Sequence, residues 1–341
     1  MSAPVLITGG AGFIGSALAD RLAAEGERVL VLDSLARPGT EANLAWLRAR
    51  HPARVAAVLA DVRDADAVGE AAREARAVFH LAAQVAVTTS LADPVADAQV
   101  NLLGTVTLLE ALRRHPRPLV YASTNKVYGG LHDVALIRGT DAYAAEDQRL
   151  ARHGIDEGQP LRFCTPYGCS KGAADQYVLD YAESFGLPTA VLRMSCIYGP
   201  RQLGTEDQGW VAHFARRAVA GEPVTIYGDG RQVRDILFID DAVAAYLAAL
   251  RRIGEVSGQA FNLGGGAANA VSLLALLCHI EAELGRPVAR RFAPWRPNDQ
   301  RWFVADTRRA RAALGLAAPL DWREGVARML RSFAEPQVEA A

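Results

Sequence analysis

The first half of the chain alternates short apolar runs with longer stretches in which apolar residues recur at helical spacing. Apolar runs of about four to eight residues are typical of buried strands. The predicted strands are Val5–Thr8, Arg28–Leu32, Val55–Leu59, Ala77–Leu81 and Leu119–Ala122. Helices are predicted between them, notably over Ile14–Glu25 and Asp97–Arg114. Strands that alternate with such helices indicate βαβ units, so the predicted fold class is α/β with a doubly wound parallel sheet.

The pattern changes at about Arg193, where loops rich in Gly, Pro and Asp alternate with short helical stretches. Two later apolar runs, Ile236–Ile239 and Ala260–Leu263, are predicted to return to the main sheet as strands. This organisation predicts a nucleotide-binding domain over residues 1–192 plus 235–263. A smaller, partly discontinuous C-terminal substrate domain is predicted over 193–234 plus 264–335, and the polar end 335–341 is expected to fray.

Composition narrows the class of protein. Half of the 341 residues are hydrophobic and 22% are charged, which suits a chain with a large core. A formal net charge of −1 argues against a nucleic-acid binder, and no apolar run of about 18 residues is present to span a membrane. Four cysteines and seven histidines without ligand spacing predict no metal site. With no recognisable signal peptide, the protein is expected to be cytoplasmic.

A glycine-rich loop follows the first predicted strand and opens the first predicted helix. It reads Gly9-Gly10-Ala11-Gly12-Phe13-Ile14-Gly15, which is GxxGxxG spacing. Glycines let the backbone turn tightly and bring N–H groups against a pyrophosphate, which the helix N-terminus then stabilises. The loop therefore predicts a Rossmann-type dinucleotide site.

Asp33 ends the second predicted strand and bears on which dinucleotide binds. A carboxylate at this point accepts hydrogen bonds from the adenosine ribose and repels a 2′-phosphate, so NAD is favoured. Two alternatives stay open: Asp33 only caps a turn, or Arg37 neutralises a 2′-phosphate and NADP binds. Asp61 and Val62, after the third strand, are where a contact with the edge of adenine is predicted, with an ordinary strand-end turn as the alternative for Asp61.

Tyr167 and Lys171 form a YxxxK motif ahead of a helix predicted over Gly172–Ser184. Residues four apart lie on one helix face, so the phenol and the ammonium are expected to point the same way. A nearby ammonium, with the positive nicotinamide of bound NAD, is expected to lower the pKa of the tyrosine towards that of a general base. Only two of the 37 basic residues are lysines, Lys126 and Lys171, and the other 35 are arginines, so Lys171 is a candidate for a role that arginine cannot fill. The alternative is that these two lysines are present by chance.

Several strings spread along the chain carry a family resemblance. They are the glycine loop, His80-Leu81-Ala82-Ala83, Asn101, Ser123–Gly129, YxxxK, Arg193–Gln202 and Arg234-Asp235. With these motifs the chain resembles the extended short-chain dehydrogenase/reductases of the nucleotide-sugar epimerase and dehydratase class. The resemblance implies that Thr124 hydrogen-bonds the reacting sugar oxygen, that Tyr167 moves its proton and that Lys171 holds the nicotinamide ribose.

The same resemblance implies which positions contact NAD. They are Gly9, Gly12, Phe13, Ile14, Asp33, Ser34, Asp61, Val62, Leu81, Ala82, Ala83, Gln84, Asn101, Tyr167 and Lys171. For Asn101 a buried structural role is an equally open alternative. Relatives of this class commonly pair through the helices that carry Asn101 and Tyr167, so a homo-oligomer, a dimer or a tetramer, is expected.

The two residues after Thr124 sort the reactions of this class. Nucleotide-sugar 4,6-dehydratases resemble one another in having Asp-Glu there, which eliminates water, whereas this chain has Asn125-Lys126, so dehydration is disfavoured. The strings at 84–90, 123–129, 166–177, 207–210 and 299–301 most resemble the CDP-paratose 2-epimerases. We expect NAD-dependent inversion at C2 through a keto-sugar. The alternatives are a nucleotide-sugar 4-epimerase, for example on UDP-glucose or UDP-glucuronate, and a catalytically silent NAD-binding regulator.

The expected substrate is a nucleotide-diphosphate sugar. Many relatives have Asn at the position of Cys196, where it helps to hold the diphosphate, and a thiol cannot make the same hydrogen bonds. The predicted substrate contacts are Thr124, Asn125, Lys126, Gln208, Arg234 and Arg301, with Trp210 beside Gln208. Lys126 and each arginine have an alternative role as ordinary ion-pair residues.

Overall fold

The computed structural model describes residues 2–296 and 299–334, so the tail 335–341, which was expected to fray, lies outside the described part. The strands are β1 Val5–Thr8, β2 Val29–Asp33, β3 Val55–Leu59, β4 Ala77–His80, β5 Leu119–Thr124, β6 Leu136–Arg138, β7 Tyr143–Ala145, β8 Thr189–Met194, β9 Cys196–Tyr198, β10 Val224–Tyr227, β11 Val233–Phe238, β12 Gln259–Leu263, β13 Ala270–Ser272, β14 Arg290–Ala293 and β15 Trp302–Phe303.

Helices cover both sides of the main sheet and fill much of the second half of the chain. They are α1 Phe13–Ala24, α2 Thr40–Arg50, α3 Ala65–Glu74, α4 Val87–Ala92, α5 Pro94–Ala98, α6 Gly104–Arg114, α7 Gln148–His153, α8 Thr165–Phe185, α9 Trp210–Ala220, α10 Ile239–Arg251, α11 Ile253–Val256, α12 Leu273–Leu284, α13 Arg308–Leu314 and α14 Trp322–Ala334.

Seven parallel strands form the main sheet, in the order β12-β8-β5-β4-β1-β2-β3. Successive side chains of a strand point to opposite faces, so Val5 and Ile7 pack into one hydrophobic core and Leu6 into the other. Both faces are covered by helices, which explains why these strands are apolar throughout. The predicted doubly wound α/β fold is confirmed.

The strand order also locates a crevice. From β1 the chain runs outwards through β2 and β3, and it then crosses to the other side of β1 to form β4. In open α/β sheets, ligands bind at the carboxyl ends of the strands where the order reverses in this way. Here that point lies between β1 and β4, next to the glycine loop.

A smaller sheet in the order β13-β11-β15, with β9 beside β11, lies outside the main one. The expectation that Ile236–Ile239 returns to the main sheet is therefore wrong, whereas Ala260–Leu263, in β12, does join it beside β8. The chain leaves the main sheet at Ser195, whose hydroxyl donates to the Asp235 carboxylate at 2.5 Å, and β9 then pairs with β11.

These pairings modify the predicted domain boundaries. Because β8 ends at Met194, residues 193–194 belong to the main sheet, and residues 235–238 of β11 leave it. The remainder of the division, 1–192 plus 235–263 against 193–234 plus 264–335, stays a prediction, and residue 335 lies beyond the described residues.

Two helices differ from their predicted bounds. The stretch Asp97–Arg114 is helical but consists of the end of α5, a π-helical turn at Gln99–Leu103 and α6. Helix α8 begins at Thr165 instead of Gly172, with Pro166 in the first turn, where a missing N–H costs little. Tyr167 and Lys171 therefore both lie on α8, one turn apart, and single π turns such as the one near Asn101 are frequent at functional sites.

Candidate active site

The loop between β1 and α1, Gly9-Gly10-Ala11-Gly12, forms a glycine cradle in which no large side chain covers the backbone. Gly9 has a φ of +70°, and a Cβ on this residue would lie 2.6 Å from the backbone nitrogen of Ala82. Glycine thus lets the loop approach the segment after β4. Gly12 precedes α1, and no side chain caps the first N–H groups of that helix. A glycine cradle with uncapped N–H groups fits the pyrophosphate of a dinucleotide.

Asp33 stands at the end of β2, beside this cradle. One carboxylate oxygen accepts from the N–H of Ala11 and the other from the N–H of Leu35, both at 2.9 Å. Asp33 therefore does cap the turn, which was one of the alternatives. The same hydrogen bonds fix its carboxylate against the glycine loop, next to the exposed Ser34. Arg37 donates to the Leu203 carbonyl at 2.5 Å, so its guanidinium is already held by another loop. This arrangement favours NAD over NADP.

Asp61 and Val62 follow β3 and have different surroundings. Asp61 forms an ion pair with Arg63 at 2.8 Å, and hydrogen bonds from that guanidinium lower the pKa of the carboxyl. Val62 is buried against Gly104, where a Cβ would lie 2.6 Å from a Val62 methyl carbon. Because the Asp61 carboxylate is engaged by Arg63, its contact with adenine stays a prediction.

The segment after β4 faces the glycine loop across the crevice. Its half-buried residues are Leu81, Ala82, Ala83 and Gln84, with Phe13 and Ile14 half-buried at the start of α1. Asn101 holds the end of this segment, because its Oδ1 accepts from the N–H of Gln84 at 2.8 Å and its Nδ2 donates to the Gln84 carbonyl at 3.0 Å. Asn101 itself is buried, so its contacts support the structural role that the sequence left open.

Thr124, Tyr167 and Lys171 come together at the carboxyl end of β5. Thr124 is the last residue of β5, and its hydroxyl accepts from the N–H of Lys126 at 3.2 Å. Tyr167 is buried in the first turn of α8, next to the Thr124 hydroxyl. Lys171 follows one turn later, and its Nζ donates to the carbonyl of Ala122 at 2.6 Å. The three side chains predicted to be catalytic are thus neighbours.

Burial dominates the acid–base properties of this group. It raises the pKa of Tyr167 to about 12, although hydrogen bonding with Thr124 lowers it. Burial also lowers the pKa of Lys171 to about 7, against nearby carboxylates that raise it. In the protein alone, Lys171 Nζ is directed at β5 and lies 4.2 Å from the ring centroid of Tyr121. The expected lowering of the tyrosine pKa, which also involves the nicotinamide of bound NAD, stays a prediction.

The predicted substrate contacts Asn125, Lys126 and Arg234 meet around residues 299–300. Arg234 Nη2 is 2.9 Å from Asp299 Oδ1, and Lys126 Nζ is 3.9 Å from the same oxygen. Gln300 Oε1 lies 3.5 Å from both Lys126 Nζ and Asn125 Nδ2. In the protein alone, Lys126 and Arg234 therefore both take part in ion pairs with Asp299, as the alternative for these residues predicted. A phosphate that takes the place of the Asp299 carboxylate would bind Arg234 Nη2.

Cys196, Gln208 and Arg301 lie at separate points around this cluster. Trp210 Nε1 donates to Cys196 Sγ at 3.4 Å, and burial raises the pKa of the thiol. The Gln208 Oε1 atom is buried with no hydrogen-bond partner among the described residues, which suits a polar group on a ligand. Arg301 is exposed, and its guanidinium carbon lies 5.3 Å from the ring centroid of Trp295.

Two buried carboxylates near the site were not predicted from the sequence. Asp175 binds Arg193 through both oxygens, at 2.8 and 3.0 Å, and neither residue is more than 5% exposed. Asp97 is 1% exposed and accepts from the side chain of Asn101 at 3.1 Å. A signal is present for both, because Asp175 follows Lys171 by four residues and Asp97 precedes Asn101 by four, which places each pair on one helix face.

Other kinds of site were sought in the described part of the chain. Over residues 2–296 and 299–334, no group of three or more His, Cys, Asp or Glu side chains is arranged to hold a metal ion. No helix there is both long enough and apolar enough to cross a membrane. Cys164, Cys169, Cys196 and Cys278 are free thiols.

Comparison with known proteins decides the family. The sequence pattern of the NAD dependent epimerase/dehydratase family matches residues 5–264, which include the glycine loop, Thr124 and the YxxxK motif. This chain belongs to that family. The family uses NAD, and the structure fits this cofactor at the glycine cradle and at Asp33.

Individual members of the family match over nearly the whole chain. The CDP-paratose 2-epimerase of Salmonella typhi is 41% identical over 95% of this chain and 97% of its own. The UDP-glucose 4-epimerase of Mycolicibacterium smegmatis is 36% identical over 96% and 97%. Among solved structures, the Thermus thermophilus UDP-glucose 4-epimerase complex with NAD is 33% identical, with a TM-score of 0.82 over 98% of this chain and 100% of that one.

Proposed function

We propose that this member of the family is an NAD-dependent nucleotide-sugar epimerase that inverts C2 of a CDP-linked sugar through a transient keto-sugar. The observation that carries the proposal is the 41% identity with a CDP-paratose 2-epimerase over almost the full length of both chains. The neighbouring Thr124, Tyr167 and Lys171 support an active enzyme over a silent NAD-binding regulator, because a regulator needs no acid–base group.

NAD is proposed to lie along the crevice between β1 and β4. The glycine cradle and the uncapped start of α1 would receive the pyrophosphate, and Asp33 the adenosine ribose. The residues proposed to hold it are Gly9, Gly12, Phe13, Ile14, Asp33, Ser34, Asp61, Val62, Leu81, Ala82, Ala83 and Gln84, with Tyr167 and Lys171 at the nicotinamide end and Asn101 bracing Gln84. When bound, NAD supplies the acceptor and the donor of the hydride, so the cycle is redox-neutral.

Tyr167 is proposed to take the proton of the sugar hydroxyl during oxidation and to return it during reduction. With its pKa raised to about 12 by burial, the phenol keeps its proton at neutral pH unless positive charge is close. Lys171, one helical turn away, supplies such a charge while it stays an ammonium. Thr124 is proposed to donate its hydroxyl to the reacting sugar oxygen and so to fix that oxygen next to the phenol.

Inversion requires that the sugar present its opposite face between oxidation and reduction, while the nucleotide stays bound. Lys126, Arg234 and Arg301 are proposed to hold the nucleotide diphosphate, with Gln208 as a further polar contact. Around the sugar, Asn125 offers an amide in place of a carboxylic acid. An amide cannot protonate a leaving hydroxyl, which supports epimerisation over dehydration.

A 4-epimerase is the second candidate, favoured by a specific observation. UDP-glucose 4-epimerases from Mycolicibacterium smegmatis and Thermus thermophilus are 36% and 33% identical over nearly complete chains. The same Thr–Tyr–Lys group serves inversion at either carbon, because only the way the sugar is held determines which carbon is oxidised.

The two candidates are separated by product analysis. Purified protein is incubated with CDP-paratose and, separately, with UDP-glucose and UDP-glucuronate, and the sugar signals are followed by NMR. The proposal predicts conversion of the CDP-sugar to its C2 epimer, with at most slow change of the UDP-sugars. Inversion at C4 of a UDP-sugar with no reaction of CDP-paratose would contradict it.

The chain is also proposed to form a homo-oligomer, a dimer or a tetramer. Exposed apolar side chains near Asn101 and along α8 support this, since Val95 is 66%, Leu103 55% and Tyr177 46% exposed. Sedimentation velocity tests the state, and a monomer at micromolar concentration would contradict the proposal.

A further inference from the structure

Asp97 is a buried carboxylate whose hydrogen-bond donors are all neutral. It lies on α5 and is 1% exposed. Its Oδ1 accepts from Gln84 Nε2 at 2.7 Å and from Asn101 Nδ2 at 3.1 Å, and its Oδ2 accepts from the hydroxyl of Ser170 at 2.5 Å. A buried carboxylate without a compensating positive charge is costly, so a cation is expected nearby.

Lys171, the residue after Ser170, meets this expectation. It is 3% exposed, and its Nζ contacts the Ala122 carbonyl and the face of Tyr121, which are neutral groups. The Asp97 carboxylate and the Lys171 ammonium are therefore two buried, opposite charges that each contact neutral groups. The hydrogen bond from Ser170, the residue before Lys171, joins Asp97 to the same turn of α8.

Asp175, the other carboxylate near Lys171, is compensated differently. Both of its oxygens bind the Arg193 guanidinium, and one also accepts from the Ser123 hydroxyl at 2.6 Å. Its charge is therefore largely taken up by that ion pair. Asp97 is left as the nearby carboxylate whose charge no contacting cation offsets.

We propose that Asp97 is a positioning residue that keeps Lys171 protonated and, through Ser170, Asn101 and Gln84, fixes the start of α8 to the segment after β4. The proposal rests on the proposed roles of Tyr167 and Lys171. In this arrangement Asp97 adds its charge to that of Asp175 in favouring the protonated form of Lys171, and it also holds the segment after β4 against the start of α8.

The charged and titratable groups that face Lys171 agree with this assignment. They are His80 on β4, Tyr121 on β5, Asp97 on α5, and Tyr167 and Asp175 on α8, with Arg193 of β8 bound to Asp175. Burial lowers the pKa of Lys171, and Asp175 and Asp97 raise it. Burial holds the pKa of His80 at about 3, so His80 stays neutral and adds no charge. Asp97 also raises the pKa of Tyr167, so removal of its charge lowers both values.

The proposal is tested directly on Lys171 by NMR, independently of activity. The chain has two lysines, Lys126 and Lys171, so protein labelled at the lysine side chains gives two signals. The signal that disappears in Lys126→Arg belongs to Lys126. Asp97→Asn should lower the titration midpoint of Lys171 by about half a pH unit or more, the size expected when one nearby buried charge is neutralised. The Lys126 midpoint should not move.

The matched control is Asp93→Asn. Asp93 is an exposed residue that caps α5 through the N–H of Ala96, a role that asparagine fills equally well. This control should leave the Lys171 midpoint unchanged, and Asp97→Glu should largely restore it. An unchanged midpoint in folded Asp97→Asn would overturn the proposal. If that variant does not fold, Asp97→Ser, which is smaller, carries the same prediction and the same contradicting outcome.

The pH dependence of turnover gives a second readout. Activity requires an ionised Tyr167 and a protonated Lys171, so both limbs of the profile should move to lower pH in Asp97→Asn. A merely structural role would lower the rate without moving the limbs, and that result would contradict the proposal. A chain inactive on every nucleotide sugar would instead refute the proposed function, while the NMR titration would still decide the role of Asp97.

Discussion

Tyr167 and Lys171 are both displaced by burial from their usual protonation behaviour, and in opposite directions. Burial disfavours the charged form of each, which raises the pKa of the phenol and lowers that of the amine. A phenolate at Tyr167 and an ammonium at Lys171, one helical turn apart, would each reduce the cost of the other's charge. Under the proposed function, this is the pair that exchanges a proton with the bound sugar hydroxyl.

Removal of the phenol tests this pair. Tyr167→Phe should lower turnover by roughly 10²–10⁴-fold, the usual contribution of a positioned acid–base group, while NAD content stays unchanged. Steady-state kinetics and extraction of bound nucleotide measure the two effects. Tyr177→Phe, on the same helix, is the matched control: it removes an exposed hydroxyl but keeps the apolar ring proposed for the oligomer contact, so it should behave as wild type. Near-native turnover of Tyr167→Phe would show that the mechanism is wrong.

Replacement of Lys171 by Arg keeps the charge and changes its shape. The guanidinium is wide and planar, and it does not fit where Nζ reaches the Ala122 carbonyl at 2.6 Å beside the Tyr121 ring. Turnover should fall by at least about tenfold. The exposed Arg73→Lys serves as a control for Arg/Lys exchange, and equal kinetics of wild type and Lys171→Arg would count against the assigned role.

The same exchange at Lys126 separates its two possible roles. If Lys126 holds the substrate diphosphate, Lys126→Arg should raise KM several-fold, on the order of one displaced charged contact, with a smaller effect on kcat. Unchanged kinetic constants would identify it as an ion-pair residue that serves Asp299, 3.9 Å away.

The three residues proposed to be catalytic could be selected from spaced motifs, whereas the residues that support them could not. Thr124, Tyr167 and Lys171 stand in recognisable strings, and the structure places them together. Asp97 lies in a stretch whose polar residues look like the exposed face of a helix. Only the fold shows that its carboxylate is 1% exposed and faces Ser170.

Among the elements, the glycine loop after β1 combines a close backbone approach with the proposed cofactor site. Gly9→Ala should destabilise the protein by roughly 1–3 kcal/mol, because it forces a side chain into positive φ and against the backbone of Ala82. It should also lower NAD content. Gly69→Ala, in α3 with no atom within 4 Å of its Cβ, should be neutral or stabilising by up to about 1 kcal/mol.

Urea unfolding of both glycine variants measures this difference. Gly9→Ala should lower the free energy of unfolding, whereas Gly69→Ala should leave it unchanged or raise it. Equal midpoints for Gly9→Ala and Gly69→Ala would contradict the claim that Gly9 is needed for the close approach of the two segments.

Elements of the first half were predictable because each strand is an apolar run between helical patterns. β1 and β3 have the predicted bounds, β2 is shifted by one residue at both ends, and β4 and β5 differ by one and two residues at their carboxyl ends. β11 was assigned to the wrong sheet because an apolar run shows that a strand is buried and not which strand it pairs with. The π turn at Gln99–Leu103 contains Asn101, which is hydrogen-bonded to Gln84, and no local sequence pattern predicted this turn.

On the scale of the whole molecule, the strand order brings distant parts of the chain to one edge of the sheet. Gly9, Asp33, Leu81 and Thr124 all lie at or just after the carboxyl ends of parallel strands. The αβ alternation predicts this edge. Lys126 and Arg234 both contact residues 299–300, although Gln300 lies 174 positions after Lys126 in the sequence. Such long-range packing is seen only in the folded structure.

A redox-neutral cycle predicts that the whole enzyme retains its cofactor through purification. Acid extraction of the purified protein should release NAD at close to one equivalent per chain, because hydride is returned in the same site and the cofactor need not leave. Chromatography against standards identifies the nucleotide. A dominant NADP peak would contradict the role assigned to Asp33.

In the proposed reaction, hydride leaves C2 of the sugar and returns to the same carbon within one active site. The direct measurement uses a CDP-sugar deuterated at C2 in ordinary water, with NMR of the epimer. We expect the C2 epimer to keep the deuterium, whereas sugar deuterated at C4 should show no primary isotope effect. Loss of the label from C2 to solvent, or inversion only at C4, would contradict it.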